Sequence, residues 1–373
     1  MKIGLVIYGS LDTLSGGYLY DRKLVEYLRL QGDTVEIISL PWRNYIAHLT
    51  DNFSFRLPAS NVIARRVLFP PKQSPNNQKF DILIQDELNH PSLIVANQGK
   101  HPYPIISLVH HLRCSELRPK WQNAFYRWIE KKYLHSVDGF IFNSKTTEQA
   151  VNNLLEGRKP SVLAYPPTDR FGESISENEV IERAKSNKLR ILFLGNVIYR
   201  KGLHTLLETI TKLQMPITVN IVGSLNSEPL YTRRIREFIA AKDLSTFVFL
   251  HGSLDKESLV EKLRQSHILV VPSSYEGFGI VYLEGMSFGL PAIGTTAGAA
   301  GEIISDGVDG FLIEPGDADL LAAKLKSLHE KRDVLIQMSL AARSRYLRQP
   351  KWEESARQIR EFLTKRIAEF TVY

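Results

Sequence analysis

Two glutamates, Glu276 and Glu284, stand eight positions apart in the stretch Ser273-Ser274-Tyr275-Glu276-Gly277-Phe278-Gly279-Ile280-Val281-Tyr282-Leu283-Glu284. Carboxylates at that separation, across a turn holding Gly277 and Gly279, can grip hydroxyl groups at two ends of one polar ligand. The apolar run 267–271 before the turn has the pattern of a buried parallel strand. Residues 280–288 after it read as a helix stopped by Gly289 and Pro291. The turn therefore lies at the C-terminal end of a strand, where open α/β sheets bind ligands. The glycines let backbone come close to a ligand, and the new helix offers N–H groups to an anion. Glu276 falls in the loop, and Glu284 falls roughly 8 Å further along the helix axis. The ligand this describes carries hydroxyls at both ends and phosphate between them.

Three further sites fall at predicted strand ends. Residues 8–17 end in Gly16-Gly17, follow the first strand and precede a helix, so they can cradle an anion. They do not form GxGxxG, and the end of the second strand, Ile37-Ile38-Ser39, has no acid for a ribose, which excludes an NAD site in this half. His110 and His111 end the fourth strand; alternation sends them to opposite faces, so only one of the pair reaches the ligand edge. Asn196 to Gly202 follow the first strand of the second half, and the adjacent cations Arg200 and Lys201 suit a diphosphate. A small-residue loop at 294–302 enters another helix and fits either phosphate contact or plain capping. No DxD or HxxEH stands where a divalent metal would be needed, so no metal dependence is expected.

These loops need strands and helices that alternate, the pattern of parallel sheets. In the first half, strands are predicted at 2–8, 34–39, 81–85, 105–109 and 139–142, and helices at 18–31, 119–135 and 145–155. Between 41 and 80 the pattern is broken by Pro58, Pro70, Pro71 and Pro75, and 74–78 reads as a mobile loop. In the second half, strands are predicted at 190–194, 218–222, 247–250, 268–271, 292–294 and 311–313, and helices at 317–330, 333–345 and 351–368. The expected organisation is α/β, with two Rossmann-like doubly wound domains facing across a cleft. Residues 1–165 form the first domain, 166–188 a linker, 189–345 the second domain, and 346–373 a last helical segment.

A chain of 373 residues with 43% hydrophobic and 23% charged residues is long enough for two full cores. Cys114 is the single cysteine, which excludes an intramolecular disulfide and a cysteine metal site and fits a reducing compartment. No apolar run approaches the ~20 residues that span a bilayer, and residues 2–8 already have a strand pattern. The expected location is cytoplasmic, with peripheral contact at the inner membrane face as an added expectation. Of the net charge of +7, residues 1–160 supply most, with 20 Lys and Arg against 14 Asp and Glu. An anionic partner surface and an ordinary solvated face both fit that excess. No helix-turn-helix, zinc or RNP pattern accompanies the basic residues, which excludes a nucleic-acid partner.

The ordered set resembles glycosyltransferase family 4, retaining enzymes of the GT-B fold. The resemblance rests on the Gly16-Gly17 loop, His110 after a central strand, the Gly-x5-Lys-Gly loop from Gly195 to Gly202, and the E-x7-E segment from Glu276 to Glu284. It extends to the turn Glu314-Pro315-Gly316 and to the helix of Trp352, which in the family crosses back to the first domain. It implies a metal-independent transferase that takes a hexose from a UDP- or GDP-sugar and uses no cofactor. Arg200 and Lys201 would hold the diphosphate, and Gly16 and Gly17 would approach phosphate or acceptor. Glu276 would bind hydroxyls of the transferred sugar beside the N–H groups of Phe278, Gly279 and Ile280. Glu284 would bind the ribose, and His110 the sugar near its C6 hydroxyl. Many family members carry Arg directly after the loop glycine; here it is Asn196, and Arg200 is expected to supply the guanidinium.

The acceptor is expected to be a carbohydrate, lipid or small molecule. The helix 119–135 carries Trp121, Phe125, Trp128 and Tyr133 among Lys120, Arg127, Lys131 and Lys132. Its aromatic spacing fits one helical face, which is expected to pack on the sheet; a membrane surface is the second reading. Trp42, Arg43, Arg56, Arg65, Arg66 and Phe69 are the expected acceptor or lipid contact. Two other functions fit the same residues: a UDP-sugar 2-epimerase of the same fold, and a nucleotide-sugar-binding protein without turnover.

Overall fold

The computed structural model describes residues 1–13, 15–53, 55, 57, 80–99, 101–167, 169–172 and 175–370. Pro58, Pro70, Pro71, Pro75, Arg56, Arg65, Arg66, Phe69 and the expected loop at 74–78 lie outside them. The chain divides into two compact units, Met1–Pro167 with Pro350–Tyr373, and Thr168–Gln349.

The first unit opens with β1 (Lys2–Tyr8), α1 (Gly16–Leu30), β2 (Thr34–Leu40), α2 (Tyr45–Leu49), β3 (Ile82–Asp86), α3 (His90–Leu93) and β4 (Ile105–Val109). It continues with α4 (Lys120–His135), β5 (Gly139–Phe142), α5 (Lys145–Leu155) and β6 (Ser161–Leu163). Its strands are parallel in the order β2-β1-β3-β4-β5-β6. Both faces of the sheet are covered. One packs Val6, Leu83, Ile105 and Phe140 against Leu93, Tyr133 and Leu154; the other packs Ile3, Leu5, Ile84 and Ile141 against Tyr20, Leu24 and Leu28. Burial on both faces is why β3 and β4 open on unbroken apolar residues, Ile82-Leu83-Ile84 and Ile105-Ile106, rather than on an alternating pattern.

The second unit contains α6 (Glu177–Ala184), β7 (Leu189–Leu194), α7 (Leu203–Thr211), β8 (Ile217–Val222), α8 (Pro229–Ala241), β9 (Val248–Gly252), α9 (Lys256–Gln265) and β10 (Ile268–Val270). After these come α10 (Ile280–Ser287), β11 (Ala292–Thr295), α11 (Ala300–Ile303), β12 (Gly310–Ile313), α12 (Ala318–Glu330) and α13 (Arg332–Leu347). Its strands are again parallel, in the order β12-β11-β10-β7-β8-β9. In each sheet the winding reverses once, between β1 and β3 and between β7 and β10. Loops at the carboxyl ends of strands flanking such a reversal splay apart and leave a crevice. The loops after β7 and β10 are the ones that carry Lys201 and Glu276.

The stretch 166–188, expected as a linker, is in part structure of the second unit. A capping box of Ser176 and Glu179 starts α6, and the buried Arg183 donates to the carbonyls of Phe288 and Gly289, both at 2.9 Å. Six of the eight α6 residues (Glu177, Asn178, Glu179, Glu182, Arg183 and Ala184) are polar or small, which hides its short apolar face. The last helix, α14 (Trp352–Phe370), belongs to the first unit. Trp352 stacks edge-on against Tyr20 at 5.0 Å, and Ala356, Ile359 and Leu363 enter the same core as α1. Arg360 Nε donates to the buried Asp33 at 2.7 Å, and the N-terminal amine of Met1 donates to its other oxygen at 2.8 Å. Replacing Trp352 by Ala should destabilise the first unit by about 3 kcal/mol, the usual cost of emptying a buried aromatic site. Urea melts of wild type and variant measure it; equal midpoints would show that α14 is not held by this ring.

Candidate functional site

Lys201 closes a single 3-10 turn, Tyr199–Lys201, and Gly202 ends it with φ +70°. A Cβ on Gly202 would stand 2.0 Å from the carbonyl oxygen of Pro272. No side chain fits there, so the loops after β7 and β10 press backbone against backbone. Ser274 N–H donates to the Arg200 carbonyl at 2.8 Å and fixes that register. Gly298, with φ +86°, does the same on the other side, its Cβ position lying 2.1 Å from the Glu276 carbonyl oxygen. Ala299 N–H donates to that carbonyl at 2.8 Å. Glu276 is thus pinned by its backbone between two loops.

Its side chain is buried and ion-paired. Lys201 Nζ donates to Glu276 Oε1, Ser273 Oγ donates to the same oxygen at 2.6 Å, and Arg200 Nη1 lies 3.9 Å from Oε2. Arg200 also donates to the Tyr275 carbonyl at 2.7 Å. Burial raises the pKa of a carboxyl, but here the charges of Lys201 and Arg200 and the hydrogen bonds from Lys201 and Ser273 outweigh it and hold Glu276 down at about 2. The group is a carboxylate across the physiological range.

Beyond Glu276, Gly279 caps α10 in the left-handed region at φ +89° without a side-chain cap. Phe278 is buried beside it, and Ile280 opens the helix. The N-terminus of α10, four residues after Glu276, adds partial positive charge to the edge that Arg200 and Lys201 occupy. Glu284, one turn on, is buried and accepts from Arg170 Nη1 at 3.0 Å. Burial raises its pKa, with Arg170 and Lys201 opposing. Asn196 turns its Oδ1 to the Ser224 N–H at 3.3 Å and ties the loop after β7 to the loop after β8. Arg200, Lys201, Glu276, Glu284, Asn196, Phe278, Gly279 and Ile280 therefore gather at one edge of one sheet. Sequence reasoning missed Ser273 and Arg170. Ser273 sat within the quoted stretch; Arg170 lies in a polar stretch with no periodic pattern, and no local signal marks it.

The other predicted residues lie in the first unit. His110 follows β4 and is buried; its Nε2 lies 3.3 Å from Asp21 Oδ1 on α1. Its carbonyl accepts from Asn143 Nδ2 at 2.9 Å and Thr147 Oγ1 at 3.3 Å. Burial lowers an imidazole, but Asp21, Asp86 and Glu87 overcome it and raise His110 to about 9. Asp86, at the end of β3, is raised to about 8 by burial and by Asp21. Asp21 Oδ2 and Asp86 Oδ2 are buried without a hydrogen-bond partner among the described residues. Gly16 is the first residue of α1, which Ser15 caps by accepting from Tyr18 N–H. A Cβ on Gly17 would come within 3.1 Å of the His110 ring. His111 instead pairs with Glu116 at 2.9 Å. Asp21, Asp86 and His110 bring their ligand-capable atoms within 4.8 Å of one another, as do Glu87, His90 and Glu130.

Residues 174–345 match the family model described as Glycosyl transferases group 1. MMP alpha-(1->4)-mannosyltransferase of Mycolicibacterium hassiacum is 26% identical over 330 residues, 84% of this chain and 75% of the relative. Among solved structures, sucrose-phosphate synthase of Thermosynechococcus elongatus superposes with a TM-score of 0.76 at 19% identity over 99% of each chain. HepE of Anabaena in complex with UDP-glucose superposes with a TM-score of 0.73 at 16% identity over 98% of this chain and 100% of that one. The fold is the two-domain α/β GT-B architecture. The likenesses support a GT-B glycosyltransferase, with glycosyl transfer as its general chemistry.

Two titrations follow from these pairings. Glu276 is depressed on folding, so its stabilisation is full above pH ~4.5 and lost as pH falls toward ~2, to a total of about 3 kcal/mol. The difference between wild type and Glu276→Gln in urea stability should shrink over that window; a constant difference would contradict the ion pair. His110 is raised on folding, so its stabilisation is full below pH ~6.5 and lost as pH rises through ~9. In Asp21→Asn its NMR titration midpoint should fall by more than a unit. A midpoint left near 9 would assign the shift to Asp86 and Glu87 alone.

Proposed function

We propose that this chain is a retaining, metal-independent hexosyltransferase of family 4. In this reading it moves a sugar from a UDP- or GDP-linked donor to a hydroxyl of a carbohydrate, lipid or small-molecule acceptor. The observation that carries the reading is the buried Glu276 carboxylate clamped by Lys201, beside Arg200, at the winding reversal of the second sheet. A carboxylate kept ionised accepts hydrogen bonds from sugar hydroxyls. Two cations and a helix N-terminus next to it meet the diphosphate.

Breaking the anomeric C–O bond leaves its electron pair on a phosphate oxygen. Arg200, Lys201 and α10 are fixed before that charge develops, so they need no reorganisation to stabilise it. This supply of fixed positive charge supports a reaction without a metal ion. Glu284 accepts from the donor ribose and His110 donates to the sugar near C6; both roles rest on the family resemblance. The complex of HepE with UDP-glucose supports a nucleotide-sugar donor. A cytoplasmic location belongs to the same proposal.

The test is nucleotide release from a panel of UDP- and GDP-sugars, with EDTA present and with candidate acceptors. Lys201→Ala should lower kcat/KM at least about 100-fold, the scale of losing one group that stabilises transition-state charge. The double variant Lys201→Met with Glu276→Gln removes both buried charges, so it keeps the fold and should be equally inactive. Near-normal turnover in either would sink the site. Conversion of the donor at C2 without acceptor would favour the epimerase, and donor binding without release the binding protein.

A further inference from the structure

The helix α4 does not turn its aromatic stripe to the sheet. Its inner face is Ile129, Tyr133 and Leu134, all buried, with the buried Glu130 accepting from the N–H groups of Cys114, at 3.1 Å, and Arg113. Its outer face carries Trp121, 71% exposed, Phe125, 37%, and Trp128, 54%. Positions 121, 125 and 128 fall on one side of a helix, four and then three residues apart. Leu117, just before the helix, is 65% exposed. Tyr45 of α2 lies edge-on to Phe125 at 6.3 Å, and its neighbour Ile46 is 64% exposed.

Cations border the stripe. Lys120, Arg127 and Lys132 are exposed, and Lys132 Nζ sits 3.8 Å from the centroid of the Trp128 ring. Lys131 is paired with Glu156. Glu130, the one acid of α4, faces inward, so the exposed face of the helix holds no carboxylate. No helix among the described residues is long and apolar enough to cross a membrane.

We propose that α4 docks this chain on an anionic lipid bilayer, with Trp121, Phe125 and Trp128 entering the headgroup region and Lys120, Arg127 and Lys132 meeting lipid phosphates. Indole and phenyl rings favour that depth, where one end is apolar and the other wet. Lysine and arginine stems lie along apolar surface while their charges reach phosphate. The +6 excess of residues 1–160 has the sign an anionic surface attracts. A second copy of this chain is a poorer occupant. A two-fold contact would set Lys120, Arg127 and Lys132 against their own copies, like charge on like.

Co-sedimentation with vesicles tests this, using the full chain without any nucleotide sugar, so the result is independent of whether the chain transfers sugar. Wild type should bind phosphatidylcholine vesicles containing phosphatidylglycerol and not phosphatidylcholine alone. Trp121→Ala, Phe125→Ala and Trp128→Ala together should lower the partition at least about tenfold with an unchanged melting temperature, since the rings are exposed. Lys120→Gln, Arg127→Gln and Lys132→Gln should each lower it about fivefold, and added salt should mimic them. Equal binding by the triple ring variant, or no binding by wild type, would overturn the proposal. So would a wild-type dimer in sedimentation velocity that the ring variant converts to a monomer, because a second copy would then cover the stripe.

Discussion

A carboxylate taken out of water must be met by positive charge, and the edge of the second sheet is organised around that requirement. Left alone, a buried Glu276 would protonate and lose its capacity to accept. Lys201 supplies the charge, but only if the loops after β7 and β10 approach at backbone distance. Gly202 against Pro272 and Gly298 against Glu276 allow that approach, and Ser274 on Arg200 holds it. The winding reversal between β7 and β10 brings the two loops to the same edge. Ion pair, loop contact and strand order are therefore one constraint seen at three scales. A larger residue at Gly202 would break the loop contact and with it the ion pair, since the side chain would part the loops and strand the carboxylate.

The first unit solves a related problem with the opposite balance. Around His110 carboxylates outnumber cations, and two carboxylate oxygens have no partner among the described residues. Burial and the neighbouring charge of Asp21 raise the pKa of Asp86, and the carboxylates around the imidazole keep it protonated. With Nε2 directed at Asp21, the ring is held in one orientation by α1 and by its own backbone hydrogen bonds to Asn143 and Thr147. The small size of Gly17 belongs to this packing.

Much of this was legible in the chain because it is local. Strand β4 and helix α5 were predicted to the residue, and the carboxylate turn, the Arg200-Lys201 pair and His110 fell where strand ends put them. What was not legible depends on distance in sequence. Asp21 meets His110 across 89 positions and Arg170 meets Glu284 across 114, and no spacing rule links them. α2 and α3 were missed because helices of five and four residues show no period, and β6 because three residues show no alternation. α6 was missed because its apolar face is too narrow to stand out in a polar stretch.

The misreading of α4 has a different cause. Trp121, Phe125, Trp128 and Tyr133 were expected on one face packed on the sheet; Tyr133 turns inward and the other three turn outward. The helix has apolar residues on two faces, Ile129, Tyr133 and Leu134 inward and Trp121, Phe125 and Trp128 outward. A periodicity argument that assumes one apolar face assigns the larger rings to the core. The buried Glu130 is the residue that fixes the rotation. It must face the N–H groups of Arg113 and Cys114, and with that side turned inward Trp121, Phe125 and Trp128 have only the outside left. A hydrogen-bond requirement of one carboxylate thus sets which aromatic stripe a whole helix presents to solvent, much as the charge requirement of Glu276 sets the geometry of two loops.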